Sequence, residues 1–324
     1  MDNQQYEERI AQGWNLISEE AWPEAIALAE SLIETGEVSG YRIKAAAQQL
    51  GQEDLEAAKA TLSEAIHQSP EAWDLRMQFA TLLAEMKDYE EAHTQLEQAI
   101  ALPEAEEHWV TYNKAILLLR EERWEEGLNL LQELEHPEVI NDAFCLQMEV
   151  LDAFGQYDTI LEMAEADLEL MQVPGTMEEA TTMARICTYI ATAAWYEEKG
   201  GEMVRHYLKQ AFVYDRTLDD ALWLLRELEG EFHDDSKVYT LQVQGLLLPE
   251  SPEEGLLPFV AQFGVVARSP EAAFDMVRRF EQESVKPDSL SFMVLEEADK
   301  DDDFEDGIYM VTPYQFPEDV SADS

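Results

Sequence analysis

Basic residues are scarce in this sequence of 324 residues, since 21 Lys and Arg stand against 70 Asp and Glu. The formal net charge of −49 makes the chain repel phosphate backbones and anionic lipid headgroups. We therefore expect neither a nucleic acid nor a membrane surface as a partner. Two explanations of the acidity remain open, a basic partner protein and adaptation to a high-salt habitat.

Long apolar runs and cysteine are scarce as well. No stretch approaches the roughly 18 apolar residues of a membrane-spanning helix, and the N-terminal segment lacks the basic and apolar parts of a secretory signal. These absences predict a cytoplasmic protein. The two cysteines, Cys145 and Cys187, lie far apart inside predicted helices, and we expect buried, reduced thiols.

The spacings that catalytic, metal and phosphate sites require are missing. None of the six histidines forms a His-Glu-x-x-His pair, and Gly200–Gly201 lacks the further glycines and the lysine of a phosphate loop. The serines and cysteines have no nucleophile motif around them. An acidic run from Asp299 matches part of a calcium loop, but its sixth position is Phe304 and its twelfth is Met310. We therefore predict no catalytic residue, no cofactor and no metal ligand.

A regular pattern of apolar residues occupies the first two thirds of the chain. In residues 71–103, apolar side chains recur at helical spacing, stop at Lys87-Asp88 and resume, which predicts two helices joined by a tight turn. The bulky residue after the turn recurs every 33 to 35 residues, at Trp22, Leu55, Tyr89, Trp124 and Tyr157. A small or modest side chain follows three positions later, at Ala25, Ala58, Ala92, Gly127 and Ile160.

This pattern resembles the tetratricopeptide repeat, a helix–turn–helix unit of about 34 residues with small side chains near the middle of its helices. The resemblance covers about residues 6–230. It implies a mainly α fold, a right-handed α-solenoid of about six helix pairs. The sixth unit is degenerate because its turn position, Gly201, follows Tyr157 by 44 residues. A last helix, at about 218–230, is expected to cover the end of the stack.

The period of the apolar pattern changes from helical to two after residue 236. Tyr239, Leu241 and Val243 alternate with polar residues, which predicts a half-buried strand. The remaining patterns predict the order strand, strand, helix, strand, strand, a small α+β domain with an antiparallel sheet. We thus predict three regions: a tetratricopeptide-like helical solenoid with its capping helix over 1–235, the α+β domain over 236–316, and a disordered tail over 317–324.

The resemblance implies a binding groove, because the first helices of successive repeats line a concave surface that receives an extended peptide or a partner's helix. Counting from the turn positions gives nine candidate groove residues: Trp14, Lys44, Met77, Gln78, Trp109, Tyr112, Asn113, Ile116 and Glu149. Trp109, Tyr112 and Asn113 offer aromatic faces beside an amide, which suits a peptide anchor. The alternative is that Trp109 and Tyr112 simply pack between helices.

Some members of the family hold a chain-terminal carboxylate with lysine, arginine and asparagine from successive first helices. Lys44 and Asn113 stand at suitable positions, but the other intervals do not match such a clamp. Basic residues such as Arg42 and Arg76 can equally form ion pairs with the many acids around them.

Together these observations predict a non-enzymatic protein-interaction scaffold that binds a basic protein or peptide in its groove, as a chaperone or an immunity protein would. The alternative, from another class, is that the α+β domain is a small-ligand or enzymatic module carried by the repeats. A concave pocket with converging polar groups would favour that alternative. The sequence leaves the identity of the partner and the oligomeric state open.

Overall fold

The computed structural model divides into two compact units, Met1–Ala143 and Phe144–Ser324. The predicted tail, 317–324, and the centre of the acidic run, 301–303, lie outside the residues that the structure describes. The described residues are 3–51, 53–249, 255–282, 284–300 and 304–316.

The described part of the first unit contains four helix pairs and the start of a ninth helix, and each pair corresponds to one predicted repeat. Every pair has a first helix and a second helix joined by a short turn. Their bounds are α1 Asn3–Ser18 and α2 Trp22–Glu34, α3 Ser39–Gly51 and α4 Leu55–Gln68, α5 Trp73–Glu85 and α6 Tyr89–Ile100, α7 Glu107–Arg120 and α8 Trp124–Gln132.

The bulky position of the repeat is the first residue of each second helix, as at Trp22 and Tyr89. The small residue three positions later lies in the core, and Ala58 and Ala92 are fully buried. At Gly127 an added Cβ atom would lie 2.6 Å from Leu119 Cδ2, so a larger side chain would push the helices apart. The small residues therefore permit the close helix packing on which the repeat depends.

The turns between paired helices share one backbone feature that the sequence did not reveal. The residue two positions before each second helix adopts a left-handed conformation, with φ of 57° at Glu20, 51° at Glu53, 61° at Lys87 and 62° at Glu122. Such angles favour glycine, yet these positions carry long polar side chains. The packing of the paired helices thus fixes the turn against local preference.

Successive first helices lie against each other. Helix α3 contacts α1 and α5, and α5 contacts α7, in addition to the contacts within each pair. Fully buried leucines fill the space between these layers, among them Leu62, Leu75 and Leu82. Each pair therefore buries its apolar side chains against its neighbours, as a repeat protein requires.

The helices that follow agree with the predicted fifth and sixth repeats and the last helix. Their bounds are α9 Ile140–Ala153, α10 Tyr157–Asp167 with a short 3-10 turn at Leu168–Leu170, α11 Met177–Tyr196, α12 Gly201–Tyr214 and α13 Asp219–Glu229. The predicted capping box opens α11, since Thr176 Oγ1 accepts a hydrogen bond from the Glu179 amide and Glu179 accepts one from the Thr176 amide, both at 3.2 Å. Helix α12 begins at Gly201, the predicted turn position.

The C-terminal elements follow the predicted order. They are β1 Lys237–Leu247, β2 Leu257–Ala267, α14 Pro270–Glu281, β3 Ser291–Asp299 and β4 Gly307–Val311. The four strands form one antiparallel sheet in the order β3-β1-β2-β4. Ser269 caps α14 by accepting a hydrogen bond from the Ala272 amide at 3.2 Å.

One face of the sheet carries the core of this region. Tyr239, Leu241 and Val243 are buried, as predicted, and Val277 of α14 packs in the same core. Leu222 of α13 joins that core, so the last helix covers the sheet as well as the preceding helices. The change from helix to strand occurs at Lys237, and the division into domains at residues 235 and 236 stays a prediction.

Both cysteines are buried and reduced, as expected from the sequence. Burial raises the pKa of the Cys187 thiol to about 12, so this thiol stays protonated at neutral pH. In the described residues no helix combines the length and the apolar character that a membrane span needs.

Truncating a core leucine tests the packing of the repeats. Leu62→Ala removes a fully buried side chain of α4, and we expect the free energy of unfolding to fall by about 2–5 kcal/mol. Leu50→Ala is the matched control, because Leu50 of the paired helix α3 is 58% exposed, and we expect a change of about 0.5 kcal/mol or less. Urea unfolding followed by circular dichroism measures both, and equal losses would contradict the packing described.

Candidate functional site

The predicted groove residues of α5 and α7 form a row along successive first helices. Gln78 Nε2 donates a hydrogen bond to the backbone oxygen of Arg42 in α3, at 3.1 Å. Asn113 Nδ2 donates to the backbone oxygen of Trp109 at 2.9 Å and lies 3.6 Å from Met77 Sδ. Two amide side chains thus connect α3 to α5 and α5 to α7. We call the following set the first-helix row: Met77, Gln78, Trp109, Tyr112, Asn113 and Ile116.

Every member of the first-helix row is half-buried. The rings of Trp109 and Tyr112 meet edge to face, with their centroids 6.1 Å apart and an interplanar angle of 81°. Such a pair holds both rings in a fixed orientation. The two aromatic side chains therefore contribute to helix packing and also keep part of their surface accessible, so the two interpretations of the sequence are compatible.

The candidate residues of the first two helix pairs lie among ion pairs. The Arg42 guanidinium lies 5.8 Å from the centroid of the Trp14 ring and pairs with Asp74 at 2.9 Å. Lys44 Nζ pairs with Glu30 at 2.8 Å. The expectation that basic residues pair with nearby acids is confirmed at Arg42 and Lys44.

The basic side chains that a carboxylate clamp would use already have partners within the protein. Lys44 is held by Glu30, and Arg76 donates hydrogen bonds to Gln95 at 3.1 Å and to Gln98 at 2.7 Å. A clamp needs cationic groups that can turn toward the ligand. The absence of a carboxylate clamp stays a prediction from the spacing in the sequence.

The surface around the first-helix row is shallow. A recess between α5 and α7, lined in part by Thr81, Asn113 and Ile116, encloses about 10 Å³. This volume accepts about one water molecule and no organic ligand. The row therefore suits a ligand that lies along the surface, as an extended peptide does.

Glu149, the remaining candidate, belongs to the second unit. It pairs with Arg185 at 2.6 Å, and Arg185 also donates a hydrogen bond to the Tyr189 hydroxyl at 3.2 Å. Burial raises the pKa of Tyr189 to about 12, so the hydroxyl remains protonated. Glu149 is exposed and its charge is partly balanced by Arg185.

Three side chains of the metal-ligand type come together near the end of the fourth repeat. Ligand atoms of His108, His136 and Glu138 lie within 4.8 Å of one another. The two imidazole rings are stacked at 3.7 Å with an interplanar angle of 13°, and His108 Nε2 lies 3.0 Å from Glu138 Oε2. That hydrogen bond lowers the pKa of Glu138. Parallel rings direct their nitrogen lone pairs side by side rather than to one point, so binding an ion would require one ring to turn.

The second unit contains a cavity of about 560 Å³, surrounded by α12, α13, α14 and the start of β4. Small-molecule sites in proteins have volumes in this range. Apolar side chains form much of its wall, among them Leu208, Phe212, Met276, Phe280 and Ile308. We call it the α12–α14 cavity.

A buried ion pair forms one side of the α12–α14 cavity. Arg216 Nη2 donates a hydrogen bond to Glu281 Oε1 at 2.5 Å, and the Tyr314 hydroxyl donates to Glu281 Oε2 at 2.6 Å. Glu281 is 1% exposed and Arg216 is 9% exposed. The Arg216 guanidinium also stacks 3.7 Å from the centroid of the Tyr314 ring. Burial raises the pKa of the Tyr314 phenol, which therefore remains a hydrogen-bond donor.

A second arginine of the cavity wall, Arg226, contacts a backbone oxygen and an aromatic ring. Arg226 Nη1 donates to the backbone oxygen of Ile308 at 2.9 Å, and its guanidinium lies 4.0 Å from the centroid of the Tyr309 ring. Gly307 makes room for this side chain, because a Cβ atom there would lie 2.8 Å from Arg226 Cγ. Burial lowers the pKa of Arg226.

No periodic pattern in the sequence indicated the α12–α14 cavity. Its residues come from helices and strands that are distant in sequence, and Arg216 and Glu281 are 65 positions apart. A local signal did exist, because Arg226 interrupts the leucine-rich helix α13 and Arg216 lies two residues after the end of α12. Isolated arginines beside apolar helix faces indicate buried cationic groups, although they do not reveal the partner.

Residues 49–109 match the family model of the tetratricopeptide repeat. The matched segment covers the end of α3, all of α4 to α6 and the start of α7. The chain therefore contains tetratricopeptide repeats in this segment, as the sequence pattern predicted. The tetratricopeptide fold suggests a protein–protein interaction scaffold.

Solved structures of repeat proteins resemble the chain at low sequence identity. YrrB, a tetratricopeptide repeat protein with an unusual peptide-binding site, is 20% identical, with a TM-score of 0.36, over 61% of this chain and 96% of YrrB. PilW, a type IV pilus biogenesis factor, is 14% identical, with a TM-score of 0.46, over 69% of this chain and 100% of PilW. The protein pilF of Pseudomonas aeruginosa is 14% identical, with a TM-score of 0.43, over 68% of this chain and 96% of pilF. No curated protein matches the sequence.

Removing the charge of Glu281 tests the buried ion pair. Glu281→Gln leaves the Arg216 guanidinium buried without a counter-charge, and we expect the free energy of unfolding of the second unit to fall by about 3–5 kcal/mol. Asp275→Asn on the same helix removes an exposed pair with Arg278 and serves as control, with an expected loss of about 1 kcal/mol or less. Urea unfolding measures both, and equal stability of the two variants would contradict the assignment.

Proposed function

We propose that this chain is a protein-interaction scaffold whose first-helix row binds an extended segment of a basic partner protein. The observation that carries the proposal is the continuous row of half-buried side chains on α5 and α7, connected by the amides of Gln78 and Asn113. Side chains held in place by their own hydrogen bonds lose little conformational entropy when a ligand binds.

The chemistry of the row suits a peptide. The second N–H of Gln78 Nε2 can donate to the backbone of an extended chain, and Asn113 Oδ1 can accept from it. Trp109 and Tyr112 present rigid aromatic surface beside them, and such residues dominate binding energy in many interfaces. The shallow surface favours a strand-like or helical segment over a compact small molecule.

The charge of the chain favours a basic partner. The net charge of −49 produces a negative field that accelerates the approach of a positively charged protein and repels an acidic one. Near the row, Arg42 is paired with Asp74 and Lys44 with Glu30, so neither is an unpaired positive charge there. A lysine-rich or arginine-rich segment would therefore meet a complementary surface.

We infer no catalytic role for the scaffold. Tetratricopeptide repeat proteins are typically non-enzymatic, and the first-helix row brings together amides, aromatic rings and aliphatic groups rather than an acid, a base and a nucleophile. The alternative of a small-ligand module has its own support in the α12–α14 cavity of the second unit.

Peptide selection against the full-length chain tests the proposal. We expect a random peptide library displayed on phage to yield basic sequences, and titration calorimetry with one selected peptide to show weaker binding as NaCl rises from 50 to 500 mM. Gln78→Ala and Asn113→Ala should each weaken that peptide at least tenfold, because each removes an amide of the first-helix row.

The matched control is Gln98→Ala, which removes an exposed glutamine from the second helix α6. We expect this variant to bind the selected peptide as the unchanged chain does. Circular dichroism melting confirms that all three variants remain folded. Enrichment of acidic peptides, or equal losses at Gln78 and Gln98, would contradict the proposed site.

A further inference from the structure

The α12–α14 cavity reverses the charge balance of the chain. Acidic residues outnumber basic ones by 70 to 21 in the whole sequence, yet among the described lining residues the basic side chains outnumber the carboxylates. The basic side chains are Arg205, Lys209, Arg216, Arg226 and Arg279, and the carboxylates are Glu229, Glu281 and Asp306. Such an inversion of sign in an acidic protein indicates a local requirement for positive charge.

The carboxylates of the wall already have hydrogen-bonding partners. The pairs are Glu229 with Arg205 at 2.9 Å, Glu281 with Arg216 at 2.5 Å and Asp306 with His233 at 2.9 Å. Arg226 and Arg279 form no ion pair with any residue that the structure describes. The wall therefore carries two guanidinium groups that make no direct ion pair with a described carboxylate, while the nearby carboxylates Asp219, Glu227 and Glu305 offset part of the effect of burial on the pKa of Arg226.

The positive groups of the wall also have unused hydrogen-bonding capacity in a partly dry environment. Arg216 Nε is buried and has no hydrogen-bond partner among the described residues. Burial lowers the pKa of Arg226, which means that its charge is only partly compensated by its surroundings. An anion in the cavity would accept hydrogen bonds from such groups. Its electrostatic interaction with them is stronger there than at an exposed surface, because less water screens the charges.

The apolar part of the wall specifies the rest of the ligand. Leu208 and Phe212 of α12 face the cavity together with Leu225 of α13 and with Met276 and Phe280 of α14. A free inorganic anion would leave this surface in contact with water. A molecule that joins an apolar body to an anionic head would cover it and meet the guanidinium groups at the same time.

We propose that the α12–α14 cavity binds a small molecule with an apolar body and one anionic head group, a carboxylate or a phosphate, whose head is held by Arg226 and Arg279. The proposal is independent of the peptide site, because no member of the first-helix row lines the cavity. The proposal gives the small-ligand module, the alternative function predicted from the sequence, a location and a class of ligand. The location includes α12 and α13 as well as the sheet region.

Titration calorimetry on the full-length chain tests the proposal with defined probes. Decanoate and decyl phosphate carry the two possible heads on the same chain, and we expect one of them, or both, to bind at one molecule per chain. Decanol lacks the charge and butyrate lacks most of the apolar body, so each should bind at least tenfold more weakly. The better of the two anionic probes identifies the head group.

Two neighbouring arginines provide a matched pair of variants. Arg279→Gln should weaken the better probe at least tenfold, and Arg279→Lys should recover part of the loss. Arg278→Gln is the control, because Arg278 is an exposed residue of the same helix that pairs with Asp275 and does not line the cavity.

Both Arg279 variants change an exposed residue, so the fold should persist, and circular dichroism checks it. Absence of binding by both anionic probes at 1 mM would overturn the proposal. Equal binding of decanol and decanoate, or equal losses at Arg278 and Arg279, would do so as well.

Discussion

The close approach of paired helices is the constraint on which the rest of the first unit depends. A tetratricopeptide helix pair is too small to bury its apolar side chains alone, so it must pack tightly against the next pair. Fully buried residues such as Ala58 and Ala92 make that packing possible, and Gly127 has no room for a Cβ atom. The same constraint holds Glu53 and Lys87 in left-handed turns that their side chains do not favour.

The same packing creates the surfaces that carry function. First helices that lie side by side present a row of side chains from α5 and α7, and the amides of Gln78 and Asn113 connect α3 to α5 and α5 to α7. In the second unit the helical pattern gives way to a sheet, and the space between α12, α13 and α14 is not filled by side chains. One unit thus offers a shallow surface for a chain, and the other offers a cavity for a small molecule.

Features that repeat along the chain could be predicted, and features that occur once could not. The bulky residue after the turn, which five copies of the pattern identify in the sequence, is the first residue of α2, α4, α6, α8 and α10. Contacts one repeat apart, such as Met77 with Asn113, follow from the same register. The ion pair of Arg216 and Glu281 joins the turn between α12 and α13 to helix α14, and the stack of His108 on His136 depends on a loop, so no periodicity indicated either.

The central claim is that partner proteins bind along the first helices of the repeats. Hydrogen–deuterium exchange of the full-length chain, with and without a selected basic peptide, tests it most directly because it reports each segment separately. We expect slower exchange in Trp73–Glu85 and Glu107–Arg120 when the peptide is bound, with little change in the second helices Tyr89–Ile100 and Trp124–Gln132. Protection confined to the sheet region, 237–311, would contradict binding along the first helices and assign protein binding to the second unit.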